Sequence, residues 1–238
     1  MSDDVHFKQR GSGRDVLMLH GNPDSSALWI PVADRLGPGF RCLMPDLPGF
    51  GRSRAPEAFD ASLDAMAAWV TSALQSIGTT GRVDLVAHDF GAIFGMAWAI
   101  RNPDRVRRIV VGGFPFFPGY RWHLWGRIWR TPILGEISLA TMNWWLFHRE
   151  IKRGGPGLST EHVRETYAGL TPSVKKMIPK LYRATDPANF AAWQDGLRSL
   201  TARVPMMVIW GALDPYVPAR YAERFGAERV HVMDGIGH

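Results

Sequence analysis

Cysteine is almost absent: Cys42 is the only one in 238 residues. A lone thiol excludes an internal disulfide framework and any cysteine-based metal cluster, and it suits a reducing compartment. The eight histidines include no pair at chelating spacing, so no metal is expected. No apolar run approaches the roughly 20 residues that cross a bilayer. Met1-Ser2-Asp3-Asp4-Val5 also lacks the basic and apolar blocks of an export signal. These absences lead to the expectation of a soluble, cytoplasmic protein. Repeats, low-complexity tracts and a long basic run are missing as well. The net charge of +6 is spread over many segments, so no nucleic-acid partner is expected.

What the chain does have is apolar content, at 46% enough for one full core and an inserted subdomain. Short apolar or β-branched runs at Val16 to His20, Arg41 to Pro45, Val83 to Ala87, Arg108 to Gly112, Pro205 to Trp210 and Val230 to Met233 read as buried parallel strands. Between them, Ala61 to Ile77 carries Met66, Trp69, Val70 and Leu74 at helical spacing, and Pro218 to Phe225 also reads as helix. Strands alternating with helices imply an α/β fold, a mainly parallel sheet covered on both faces.

The alternation fails between Phe114 and Thr201, too long a stretch for a loop. It is expected to be a helical lid, 114–201, inserted into a core of 1–113 and 202–238. Thr160, Thr171 before Pro172 and Asp186 before Pro187 read as helix starts there. Six of the ten tryptophans lie in this insert: Trp122, Trp125, Trp129, Trp144, Trp145 and Trp193. Lid core and apolar pocket wall are both open roles for them.

One break between strand and helix carries chemistry. In Val83-Asp84-Leu85-Val86-Ala87-His88-Asp89-Phe90-Gly91-Ala92 an apolar run ends at an acid flanked by small residues and passes into a helical stretch. A sharp elbow needs small neighbours, and its apex side chain projects above the sheet edge. From this segment alone Asp89 is either a nucleophile, ionised at neutral pH without a base, or a helix cap. The string Asp-Phe-Gly has none of the other motifs of a protein kinase around it. Further on, Trp210-Gly211-Ala212-Leu213-Asp214 puts an acid after the next-to-last strand, and Gly235-Ile236-Gly237-His238 puts a histidine after the last.

Nucleophile, acid and histidine in that order resemble the α/β-hydrolase superfamily, and an aspartate at the elbow resembles its epoxide hydrolases and haloalkane dehalogenases. His20-Gly21-Asn22-Pro23 is similar to the family's oxyanion loop. Asp46-Leu47-Pro48-Gly49-Phe50-Gly51-Arg52-Ser53 is similar to its Asp-x-x-Gly-x-Gly-x-Ser turn. The resemblance implies an alkyl ester on Asp89, hydrolysed by water with His238 as base and Asp214 orienting it. The backbone N–H groups of Asn22 and Phe90 form the oxyanion hole, and no cofactor is needed. It also implies a further helix beyond His238, so either the sequence is cut short there or the protein is compromised.

Two leaving groups are in competition. Leu181-Tyr182-Arg183 resembles the second lid tyrosine segment of epoxide hydrolases, which favours epoxides opened to diols, although Asn143-Trp144-Trp145-Leu146-Phe147 has no first tyrosine. Asn22, Trp144 and Trp145 offer N–H groups for a departing halide, whereas Phe90 offers none. A fluoroacetate-type substrate lacks its arginine clamp. A non-catalytic binding protein on the same fold is the remaining alternative. The expected partner is a small, neutral organic substrate.

Overall fold

The computed structural model describes residues 5–238; Met1 to Asp4, read above for an export signal, lie outside the described residues. One sheet holds β1 (Phe7–Arg10), β2 (Arg14–Leu19), β3 (Phe40–Pro45), β4 (Val83–His88), β5 (Val106–Gly112), β6 (Met206–Gly211) and β7 (Arg229–Met233). Their order is β1-β3-β2-β4-β5-β6-β7, and every neighbouring pair is parallel except β1 with β3. The six apolar runs are all strands. β1 went unread because Phe-Lys-Gln-Arg has a single apolar residue. At the sheet edge half of it faces water, and it is held by its register on β3, Phe7 opposite Pro45.

Among the described residues the α-helices are α1 (Ile30–Leu36), α2 (Leu63–Ser76), α3 (Phe90–Arg101), α4 (Leu124–Arg130), α5 (Leu134–Ala140), α6 (Trp144–Gly154), α7 (Thr160–Ala168), α8 (Pro172–Ala184) and α9 (Gln194–Thr201). None is long and apolar enough to cross a membrane. α3 is apolar on every side, and ten of its residues, Phe90 through Ala99, are buried. A helix buried all round has no use for a polar face. It packs against α2 through Phe94 and Trp69, whose rings sit 5.9 Å apart, and against the sheet through Gly95, where a Cβ would lie 3.0 Å from Leu85.

Three local expectations change. Ser159, not Thr160, caps α7, with its hydroxyl accepting from the His162 N–H. Asp186-Pro187 opens a 3-10 turn, Pro187–Trp193, and Ala219–Phe225 is also 3-10. The third change concerns α9, which sequence placed in the insertion and which packs on α3. Gly196 permits this approach, since a Cβ there would lie 2.5 Å from Ile100, and Arg101 stacks over Trp193 at 4.5 Å. The helices that stand clear of the sheet are therefore α4 to α8.

The strand order also dictates where a ligand can sit. From β2 the chain moves outward to β3, and from β3 it returns across β2 to β4. The crevice between the carboxyl ends of β2 and β4 is thus a topological switch point, where loops diverge. The loop after β2 is His20-Gly21-Asn22, and the residue after β4 is Asp89.

Candidate active site

Asp89 has φ 51° and ψ −129°, a backbone conformation that costs a non-glycine residue about 1–3 kcal/mol. The surroundings hold it there. A Cβ on Gly91 would lie 2.3 Å from the Leu19 carbonyl oxygen, and one on Gly21 would lie 2.6 Å from the Asp89 Cβ. These two glycines let the elbow and the loop after β2 come together. Asp89 makes no side-chain cap bond to α3. Instead its Oδ2 accepts the Asn22 N–H at 2.8 Å, and the Phe90 N–H also meets the carboxylate. Burial pushes the Asp89 carboxyl up, opposed by the His238 charge and by those two N–H donors. The ionisation expected of an unassisted carboxylate therefore depends on its neighbours.

Asp214 follows β6 and is fully engaged. Its Oδ1 accepts the N–H groups of Tyr216 at 2.8 Å and Val217 at 2.9 Å, and its Oδ2 meets His238 Nδ1 at 2.7 Å. Burial works against the Asp214 charge, but the His238 bond and the two N–H groups outweigh it and hold the carboxyl low. Burial likewise works against the His238 imidazolium, and the Asp214 bond outweighs it, so that histidine is raised. The His238 N–H also donates to Gly154 O, the last carbonyl of α6, at 2.6 Å.

Asp89, Asn22, His238 and Tyr182 line one cavity of ≈ 210 Å³, with Trp122 and His123 beside them. Tyr182, on α8, is buried. Its ring lies 4.8 Å from Phe90, 4.7 Å from Trp122 and 5.1 Å from Trp129. Burial, then the nearby Asp89 charge, push the phenol well above its ordinary value, so the hydroxyl keeps its proton. The Asn22 side-chain amide faces that hydroxyl, and its Oδ1 is buried with no hydrogen-bond partner.

Trp144 and Trp145 do not reach the cavity. The inward face of α6 is Phe147, Glu150, Ile151 and Gly154, at three- and four-residue spacing. Trp144, in the first turn, packs on Tyr167 of α7 at 5.6 Å, and Trp145 is 67% exposed beside Arg149. The indoles that line the cavity are Trp122, Trp125 and Trp129, and the Nε1 atoms of Trp122 and Trp129 are buried without partners.

Two histidines that the sequence reading passed over belong to the site. His88 precedes the elbow, and its ring lies 4.6 Å from that of His238. Burial, then the His238 charge, lower it to about 3. Its position next to Asp89 was the available signal. His123 caps α4, with Nδ1 accepting the Gly126 N–H at 3.2 Å and Nε2 lying 3.4 Å from the Tyr182 hydroxyl. A histidine at a cap position, where Ser, Thr or Asp is usual, was the signal there. Among the described residues no group of three His, Cys, Asp or Glu side chains is placed to hold a metal ion.

Comparison with known proteins gives this geometry a context. A family model described as the α/β hydrolase fold matches residues 16–130. The cis-3-alkyl-4-alkyloxetan-2-one decarboxylase of Shewanella oneidensis is 27% identical over 98% of this chain and 79% of its own length. The haloalkane dehalogenase of Agrobacterium fabrum is 40% identical over 105 residues, 44% of this chain and 34% of that protein. The solved structure of an epoxide hydrolase from Vigna radiata superposes with a TM-score of 0.76 over 98% of this chain and 88% of that one, at 23% identity, a likeness of fold. An elbow acid at the switch point, the sheet order and the family model agree: the chain has the α/β-hydrolase fold, and in sequence it is similar to haloalkane dehalogenases and to an oxetan-2-one decarboxylase.

Proposed function

We propose that the protein opens epoxides to diols through an ester on Asp89. The observation that carries this reading is the Tyr182 hydroxyl. It is buried in the same cavity as Asp89 and held in its protonated form, beside an elbow whose next residue, Phe90, has no N–H on its side chain. An oxygen leaving group needs a proton, and a halide does not. Tyr182 supplies a proton beside an elbow whose position 90 offers no indole donor.

The steps follow from the charges. The Asp89 carboxylate attacks a ring carbon, the C–O bond breaks, and the departing oxygen takes the Tyr182 proton. Water then attacks the ester carbonyl, giving up a proton to His238, whose imidazolium is stabilised by Asp214. The Asn22 and Phe90 N–H groups, already on the Asp89 carboxylate, are placed to receive the oxyanion that forms on that carboxyl group. The intermediate then collapses: the bond from the carboxyl carbon to the substrate oxygen breaks, that oxygen takes the proton of the added hydroxyl and leaves as the diol, and Asp89 is again a carboxylate. Return of the proton from His238 to Tyr182 completes the cycle. In this reading α4 to α8 form the lid over an apolar pocket and α9 stays with the core. An oxetan-2-one, named for the Shewanella relative, is like an epoxide a strained oxygen ring. That shared chemistry supports an oxygen leaving group.

The unpartnered Trp122 Nε1, with Asn22 nearby, is what favours the second reading, halide release. Intact-mass analysis of His238→Gln separates the two. That variant attacks but lacks the base for hydrolysis, so the covalent species accumulates. An adduct on Asp89 equal in mass to the whole epoxide supports the first reading. Alkyl addition with halide release, and none from epoxides, supports the second. A folded variant that forms no adduct with epoxides, oxetanones or haloalkanes refutes both and leaves another substrate or a binding protein.

A further inference from the structure

The way in which the Tyr182 proton is kept available is readable from its neighbour. α4 begins at His123, whose Nδ1 accepts the Gly126 N–H. A ring nitrogen that accepts a backbone N–H cannot itself carry hydrogen, so the proton of the neutral ring sits on Nε2. The ring is neutral: burial, then the charge of His238, lower it to about 4. Nε2 lies 3.4 Å from the Tyr182 hydroxyl. With the hydrogen on Nε2, the histidine donates and the tyrosine oxygen accepts. The phenolic hydrogen is therefore not spent on His123. Space is tight around this pair. A Cβ on Gly126 would lie 2.9 Å from Trp122 and 3.1 Å from Tyr182, so α4 fits against the tyrosine only with glycine there.

We infer that His123 is a positioning residue: the cap that starts α4 sets its tautomer, its Nε2–H donates to the Tyr182 oxygen, and the phenolic proton is left for the oxygen that departs from substrate carbon. This rests on the epoxide reading. In the ring-opening step the electron pair of the breaking C–O bond goes to the leaving oxygen, which takes the Tyr182 proton. The negative charge left on Tyr182 is then stabilised by the same His123 Nε2–H. The bond is long in the resting site, and it shortens as its acceptor becomes a phenolate. His123 touches neither the nucleophile nor the departing oxygen; its effect passes through the tyrosine.

Three variants and one spectroscopic measurement test this. His123→Asn keeps a good helix cap but is too short to reach Tyr182. His123→Gln restores an N–H at that reach. His123→Phe removes both. In single turnover, His123→Asn is expected to slow formation of the Asp89 ester from an aryl epoxide about tenfold, the loss of roughly 1.4 kcal/mol from one hydrogen bond to a developing charge. Ester formation from a bromoalkane and the later hydrolysis step are expected to be unchanged. His123→Gln is expected to recover most of the loss. Nitrogen-15 spectra are expected to show hydrogen on His123 Nε2, with a shift in Tyr182→Phe. Hydrogen on Nδ1, or equal slowing for both electrophiles in His123→Asn, overturns the inference while leaving the epoxide reading intact. If the unaltered protein forms no adduct with any epoxide, both fall together.

Discussion

Tyr182→Phe separates chemistry from packing, because the structure assigns the ring and the hydroxyl different work. The ring is stacked among Phe90, Trp122 and Trp129 at centroid distances of 4.8, 4.7 and 5.1 Å. Phenylalanine keeps all three contacts. The hydroxyl lies 3.4 Å from His123, a long bond, and faces the Asn22 amide. Its removal leaves a weakly engaged donor without an acceptor, a stability cost of about 1 kcal/mol. The rate effect is of another size. Loss of a positioned proton donor slows a step by about 10²–10⁴, or roughly 3–5 kcal/mol of barrier. The assay is the time course of Asp89 ester formation in the His238→Gln background, read by quenched-flow mass spectrometry with styrene oxide and with 1-bromohexane, beside urea unfolding of each protein. The expected result is a loss of two orders of magnitude or more with the epoxide, none with the bromide, and a small shift in unfolding midpoint. Equal loss with both, or destabilisation above about 3 kcal/mol, refutes the assignment of Tyr182 as the acid.

Two further outcomes follow from the site. His238 acts as base only when neutral, and its folded value is raised, so ester hydrolysis should climb as pH rises through that value. In Asp214→Asn the upward pull is lost and burial remains. The inflection should move to lower pH and the plateau should fall by about 10²–10⁴, while ester formation, measured at a pH where Asp89 is ionised, stays near normal; an unmoved inflection counts against the pairing. Gly91→Ala should cost at least about 3 kcal/mol in denaturant unfolding. The added Cβ meets the backbone carbonyls of Leu19 and His20 at 2.3 and 2.4 Å, which cannot swing aside. A mild effect there would mean that the elbow relaxes easily.

Most of the sheet was legible because buried parallel strands are continuous apolar runs, and Val83 to Ala87 or Pro205 to Trp210 have no other plausible use. Asp89, Asp214 and His238 were legible because each directly follows a strand or its turn, so their places along the chain fixed their places in space. The lid was not. Trp122 and Trp145 look alike in sequence, and only the packing of α4 on α8 and the facing of α6 put the first in the cavity and the second in water. His123 was hidden because its role lies in two partners, Gly126 three residues on and Tyr182 at the far end of the insertion. Connection length says where a sheet is interrupted but not which helix returns to it, so the packing of α9 on α3 was not legible. β1 had too few apolar residues to register at all.

In the proposed reaction the groups around the reacting carbon come from two sources. Asp89, Asn22, Asp214 and His238 stand on loops of the sheet, whereas Tyr182 and His123 stand on α8 and α4. In that reading what attacks and what hydrolyses is written in the sheet loops, and the acid for an oxygen leaving group is written in the helices above them. The two parts are nonetheless stitched at one point, where Gly154 O of α6 holds the His238 N–H and a Cβ on Gly237 would lie 1.9 Å from that same oxygen. Any exchange of the helices above the sheet must bring its own carbonyl to that spot, or the base loses its footing along with the old specificity.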